Sequence, residues 1–203
     1  MIVCAAPGPS LRVEDLNRAR AAGAQVLCVT RAYLAALWAD WLYACDPRWW
    51  DYYGPDVRAR FRGERWTQRQ TCGPNRLTYQ PDELAACERW DLRWMPSHHG
   101  AGLGESRIQL SDGGSGYHAI NLAYLFGARR ILLLGYDGQG AGHWDGNDYP
   151  VEVGRSAGGS SVYHVGYARL VADLHRAGVE ILNCSRETAH TAIPRATIEE
   201  ALG

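Results

Sequence analysis

The chain has 203 residues, 46% of them hydrophobic and 21% charged, with a formal net charge of -1. These values fit one globular core and exclude a disordered or fibrous chain. The near-neutral charge leaves no electrostatic footprint for nucleic acid or an anionic membrane. No run approaches the length of a membrane-spanning helix, and the opening MIVCAAPGPSL, without a basic segment, predicts no signal peptide.

In chain order, Ile2 to Ala5 is a short apolar strand that ends in the turn Pro7-Gly8-Pro9. Ser10 then stands where an N-cap would open a helix over 11–22, which Gly23 ends. Residues 25–29 form the second predicted strand, 31–39 a short helix and 41–45 a third strand. After Asp46-Pro47 comes an aromatic helix over 48–61, then a fourth strand over 65–68. The region from about 70 to 104 reads as an irregular insert: it holds Pro74, Pro81 and Pro96, a strand over 91–95 and a mobile loop over 97–102. A Gly-rich turn, Gly113-Gly114-Ser115-Gly116, opens a helix over 117–126 that Gly127 closes, and 130–134 is the most apolar strand. A long loop over about 135–159 follows, and loops of that length in compact domains serve as binding or lid loops. A helix over 162–177 and a strand over 179–184 complete the pattern. Strands alternating with helices predict one α/β domain over 1–203, Rossmann-like and three-layered, with five to seven mostly parallel strands.

Two compositional facts bear on chemistry. All 21 basic residues are arginine, so lysine Schiff-base chemistry and a P-loop lysine are excluded and Arg is left as the clamp for phosphate or carboxylate. The six cysteines are scattered without a C-x-x-C pair, as expected of buried thiols in a reducing, cytoplasmic compartment.

Candidate site residues fall at the ends of strands. Gly8, Pro9 and Ser10 lie where a strand feeds a helix, a place suited to a phosphate and equally the composition of a plain turn. Gly114, Ser115, Gly116 and His118 repeat the arrangement at a second helix start, where an early His is as often structural. Asp46 and Asp137 are carboxylates directly beyond strands, placed for a ribose, sugar hydroxyl or metal, or for capping the next segment. The stretch Gly142 to Tyr149 gathers His143, Trp144, Asp145, Asn147 and Asp148, a mixture able to stack on a base or supply an acid/base. His164, near the last long helix, is either a second base or a surface residue. Cys72, Cys87, His98 and His99 match no compact zinc pattern. The run Arg58, Arg60, Arg62, Arg65 and Arg69, beside Trp49, Trp50 and Trp66, reads first as a surface or oligomer face.

The order of these pieces resembles the DUF115-like group: a first strand ending in Gly8-Pro9-Ser10, Asp46 beyond the third strand, the Ser115-Gly116 helix start, and Gly135-Tyr136-Asp137. That group is related to the CMP-sialic-acid-dependent sialyltransferases of glycosyltransferase family 42 and to the archaeal-type 6-hydroxymethylpterin pyrophosphokinases. Phage and prophage proteins of unassigned function carry similar ACD-x-x-WW and LLGYD-like stretches. The resemblance implies a nucleotide-binding group-transfer enzyme, glycosyltransferase-like, taking a nucleotide or nucleotide sugar of which the CMP type is one candidate. It implies Gly8, Pro9, Ser10, Ser115 and Gly116 near the nucleotide and Asp137 and His164 at catalytic positions, while the residues themselves add Thr30, Asp46, Gly114 and His118 to the nucleotide-binding candidates and His143 to the catalytic ones. Pro7, Thr30 and Asp46 stand where the sialyltransferases have Asn, which sets CMP-sialic acid itself apart from the general nucleotide expectation. The alternatives are a Mg²⁺-dependent diphosphotransferase, with Asp137, Asp145 and Asp148 as metal candidates, and a non-catalytic nucleotide-sensing module. The expected partner is a small-molecule nucleotide ligand. No membrane or nucleic acid is expected, and a homo-oligomer stays open.

Overall fold

A computed structural model describes residues 1–70, 81–110, 114–139, 142–147, 150 and 166–203. It contains strands β1 (Ile2–Ala5), β2 (Gln25–Val29), β3 (Trp41–Tyr43), β4 (Glu64–Gln70), β5 (Arg93–His99), β6 (Ile108–Leu110), β7 (Arg130–Leu134) and β8 (Glu180–Asn183). The α-helices are α1 (Val13–Ala21), α2 (Pro47–Arg60), α3 (Pro81–Trp90), α4 (Gly114–Leu125), α5 (Tyr167–Arg176) and α6 (Ile198–Leu202). A 3₁₀ segment, Thr30–Ala35, stands where a short α-helix is predicted.

All eight strands pair in parallel in one sheet, in the order β6-β5-β4-β3-β2-β1-β7-β8. Helices cover both faces, giving the three-layer, Rossmann-like α/β architecture. The central strands are apolar throughout because neither face meets water. In β1, Val3 and Ala5 enter a core shared with α1, the 3₁₀ segment and α2, while Ile2 and Cys4 enter a second core shared with α4 and α5. Ile131, Leu132 and Leu133 of β7 are fully buried, each side chain contributing about 1.5–3 kcal/mol. The cysteines Cys4, Cys28, Cys45, Cys87 and Cys184 are free thiols, and burial pushes those of Cys4 and Cys28 far up, so they behave as small apolar side chains.

The outer sheet corrects the sequence reading. Strand β5 runs two residues later than predicted and takes in Ser97, His98 and His99, which are therefore strand rather than mobile loop. Gly102 is held by the Tyr117 hydroxyl, which accepts from its N–H at 2.7 Å and donates to its carbonyl at 2.9 Å. Buried Asn121 accepts from Gly104 N and Gln109 N, both at 3.0 Å, and so leads the chain into β6. Trp49 and Trp50, beside the predicted basic run, are core residues. No helix among the described residues is long and apolar enough to cross a membrane.

Candidate functional site

Strand order reverses between β1 and β7: from β1 the chain builds the sheet in one direction to β6, then returns to place β7 on the other side of β1. In open α/β sheets the crevice beyond the carboxyl ends of strands at such a switch is where ligands bind. Here it is bordered by residues 6–10 beyond β1, 30–31 beyond β2, 45–46 beyond β3 and 135–137 beyond β7, with the start of α4 alongside.

The β1/β7 corner is closed by the chain itself. Gly8 N donates to Gly135 O at 3.1 Å, and Ala6 N donates to Leu134 O at 2.8 Å. Asp137, only 4% exposed, accepts from Ser10 N at 2.7 Å and from Ser10 Oγ at 2.5 Å. Burial holds its carboxyl above the usual range, although both Ser10 hydrogen bonds pull the other way. The predicted capping role of Ser10 gives way to this pairing: the N-cap of α1 is Arg12, with no side-chain cap. Pro7 and Pro9 have no N–H, and those of Gly8 and Ser10 donate to Gly135 O and Asp137, so the backbone donors of this turn are engaged within the chain. Both glycines are required by close approach. A Cβ on Gly8 would lie 2.3 Å from Gly135 O, and one on Gly135, at φ +68°, would lie 2.1 Å from Ala6 O. Behind the corner, Ser185 Oγ accepts from Tyr136 N at 2.7 Å, and Asn183 and Thr188 donate to Tyr136 O. This support from 183–188 was not legible as part of a site.

The β2/β3 corner is built differently. Thr30, directly beyond β2, has φ +45°, a left-handed conformation that a β-branched residue enters only under strain. It turns the chain so that Arg31 is 7% exposed. Arg31 Nη1 donates to Tyr53 Oη at 3.2 Å, and Nη2 forms an ion pair with Asp145. Burial works against both charges, but the pairing outweighs it: Arg31 is shifted up and Asp145, helped by Asn147, is shifted down. Residues 142–147 thereby bridge two strand ends, because Trp144 N also donates to Pro7 O at 3.0 Å. Within this loop His143 Nδ1 lies 2.7 Å from Asn147 O. A carbonyl only accepts, so Nδ1 carries the proton and Nε2 is the basic nitrogen of the neutral ring.

The remaining candidates divide. The start of α4 does meet the β3 end: Ser115 Oγ accepts from Cys45 N at 3.2 Å and donates to Cys45 Sγ at 3.1 Å. Gly116 packs on Tyr136, whose hydroxyl donates to Gly116 O at 3.0 Å. Gly114 sits at φ +63°, a conformation its missing side chain permits. Asp46 caps α2, accepting from Arg48 N at 2.9 Å, and its other oxygen pairs with the Arg48 guanidinium at 2.7 Å. His118 is 5% exposed between α4 and β3, with Nδ1 3.3 Å from Tyr43 Oη. His164 and Asp148 lie outside the described residues, as does Cys72.

Among the described residues, the carboxylates considered for a divalent cation hold other partners. Both Asp137 oxygens accept from Ser10, and Asp145 is engaged by Arg31 and Asn147. No group of three potential metal ligands occurs among the described residues. A groove of about 620 Å³ opens on the opposite, amino edge of the sheet between Trp38, Arg62 and Arg93. Its charges pair with each other, Arg65 with Asp91 and Arg93 with Glu64, and it is remote from the switch point. We therefore assign the candidate site by topology and not by cavity size.

The fold defines a Rossmann-like α/β protein, with a candidate site at its topological switch point. No protein-family model, curated protein or solved structure matches the chain.

Proposed function

We propose that the protein is a nucleotide-binding group-transfer enzyme, glycosyltransferase-like, using a nucleotide-activated sugar donor. The observation that carries this reading is the crevice at the β1/β7 switch, which combines a buried cation, Arg31, with a loop bearing an imidazole and an indole. In this reading the donor lies across the ends of β1, β2 and β7. His143 Nε2 takes the proton of an acceptor hydroxyl as the acceptor oxygen forms its bond to the anomeric carbon. The bond from that carbon to the phosphate oxygen breaks, its electron pair passes to the phosphate, and Arg31 offsets the added charge.

The test is a thermal-shift panel of nucleotides and nucleotide sugars, with and without Mg²⁺. Binding to the folded state raises the melting temperature by mass action. A metal-independent shift with a nucleotide sugar is expected. A shift seen only with ATP and Mg²⁺ would favour diphosphate transfer, and none with any nucleotide would overturn the nucleotide reading. His143→Gln should abolish turnover while sparing binding. A protein that binds tightly and shows no turnover before substitution would be a sensor.

A further inference from the structure

We propose that Asp145 is a built-in stand-in for a phosphate oxyanion, and that a ligand phosphate takes its place on Arg31 and so releases the 142–147 loop. This rests on the nucleotide reading of the crevice and goes further, naming the anchor, the group it binds and the loop that must yield.

Three observations combine. First, Arg31 is buried at a strand end in the crevice, and a guanidinium stays charged there, so it requires an anion. Among its described contacts, Tyr53 supplies a neutral oxygen at 3.2 Å and Asp145 the anion. Second, the anion comes from a loop and not from the scaffold: Asp145 is 114 residues away in sequence. It lies in a stretch whose described hydrogen bonds are mostly internal, apart from Arg31 and the 3.0 Å bond from Trp144 N to Pro7 O. Third, Thr30 at φ +45° turns the chain from β2 into the crevice directly before Arg31, and left-handed non-glycine residues of this kind cluster at ligand clamps and switch regions. Carboxylate and phosphate present the same oxygen fork to a guanidinium, so one substitutes for the other without rebuilding the corner.

The consequence is competition. The affinity for phosphate is reduced by the fraction of molecules in which Asp145 holds Arg31. Removing the Asp145 charge should tighten phosphate binding, the opposite of what loss of a site residue does. The experiment titrates inorganic pyrophosphate into the wild type, Asp145→Asn and Arg31→Gln at constant ionic strength, against a chloride control, by calorimetry. Asp145→Asn should bind about tenfold tighter or more, and Arg31→Gln should lose the response. Unchanged or weaker binding by Asp145→Asn, or a response retained by Arg31→Gln, would overturn the proposal.

Because Asp145→Asn removes the carboxylate from a buried guanidinium and can impair folding, hydrogen exchange on the wild type provides an independent readout. Saturating pyrophosphate should speed exchange over 142–147, including the Trp144 amide. Slower or unchanged exchange there would overturn the displacement. The two readings fail separately. Pyrophosphate binding with the Asp145 effect, but no response to any nucleotide, would sustain the anchor and remove the nucleotide. Nucleotide binding of equal strength in all three proteins would remove the anchor alone.

Discussion

The two corners of the crevice solve the same problem, polar groups at the ends of buried strands, in opposite ways. At β1/β7 the Asp137 carboxylate is satisfied by a backbone amide and a hydroxyl of the first turn, and two glycines allow backbones to touch. At β2/β3 a strained threonine presents a buried cation, and a carboxylate from a distant loop satisfies it. The first corner is scaffold, with every donor of its turn committed. The second holds its charge through a contact that can be exchanged.

The largest expected effect breaks the scaffold corner. Gly135→Ala combines a left-handed φ with a collision against Ala6 O, and should cost about 3 kcal/mol or more in urea denaturation. A loss below about 1 kcal/mol would mean that the corner relaxes freely and is no scaffold. Asp137→Ala comes next: it leaves the buried Ser10 N–H without its acceptor and should cost about 1–3 kcal/mol. The exchangeable corner should respond differently. Arg31→Gln should weaken phosphate binding by at least about tenfold, roughly 1.4 kcal/mol.

Acid titration separates the same two carboxylates by sign. Asp145 is shifted below its ordinary value of 3.8, so its contribution is fully present above that pH and is lost as pH falls through its folded value. Asp137 is shifted above 3.8, so its contribution is fully present below that pH and is lost as pH rises through its folded value. Denaturation across this range should show the wild type losing ground to Asp145→Asn on acidification and gaining ground on Asp137→Asn. Parallel curves would show that the two environments do not differ. The smallest effect is expected from Ser115→Ala, which removes the hydroxyl that joins α4 to Cys45 and should cost about 1 kcal/mol or less with little change in binding.

The central strands were legible because burial on both faces leaves continuous apolar runs, as in Ile131 to Leu134. Asp46-Pro47 marked the start of α2 because an N-cap and a first-turn proline act within a few residues. The outer strands were harder: β4 reads ERWTQRQ and β5 RWMPSHH, with partly exposed faces that blur the pattern. Helix α6 and strand β6 are short, and β6 takes its place through the buried amide of Asn121.

By itself, then, the sequence determined the α/β class, the central apolar strands and the stretches that end at the crevice, since periodicity, caps and turns are set by neighbours along the chain. Tertiary structure alone decided that Ser10 serves Asp137 across 127 positions, that His118 lies buried against Tyr43, and that Arg31 meets Asp145. Those outcomes depend on which groups burial brings together and leaves needing a partner, and a side chain's local pattern does not encode a partner more than a hundred residues away.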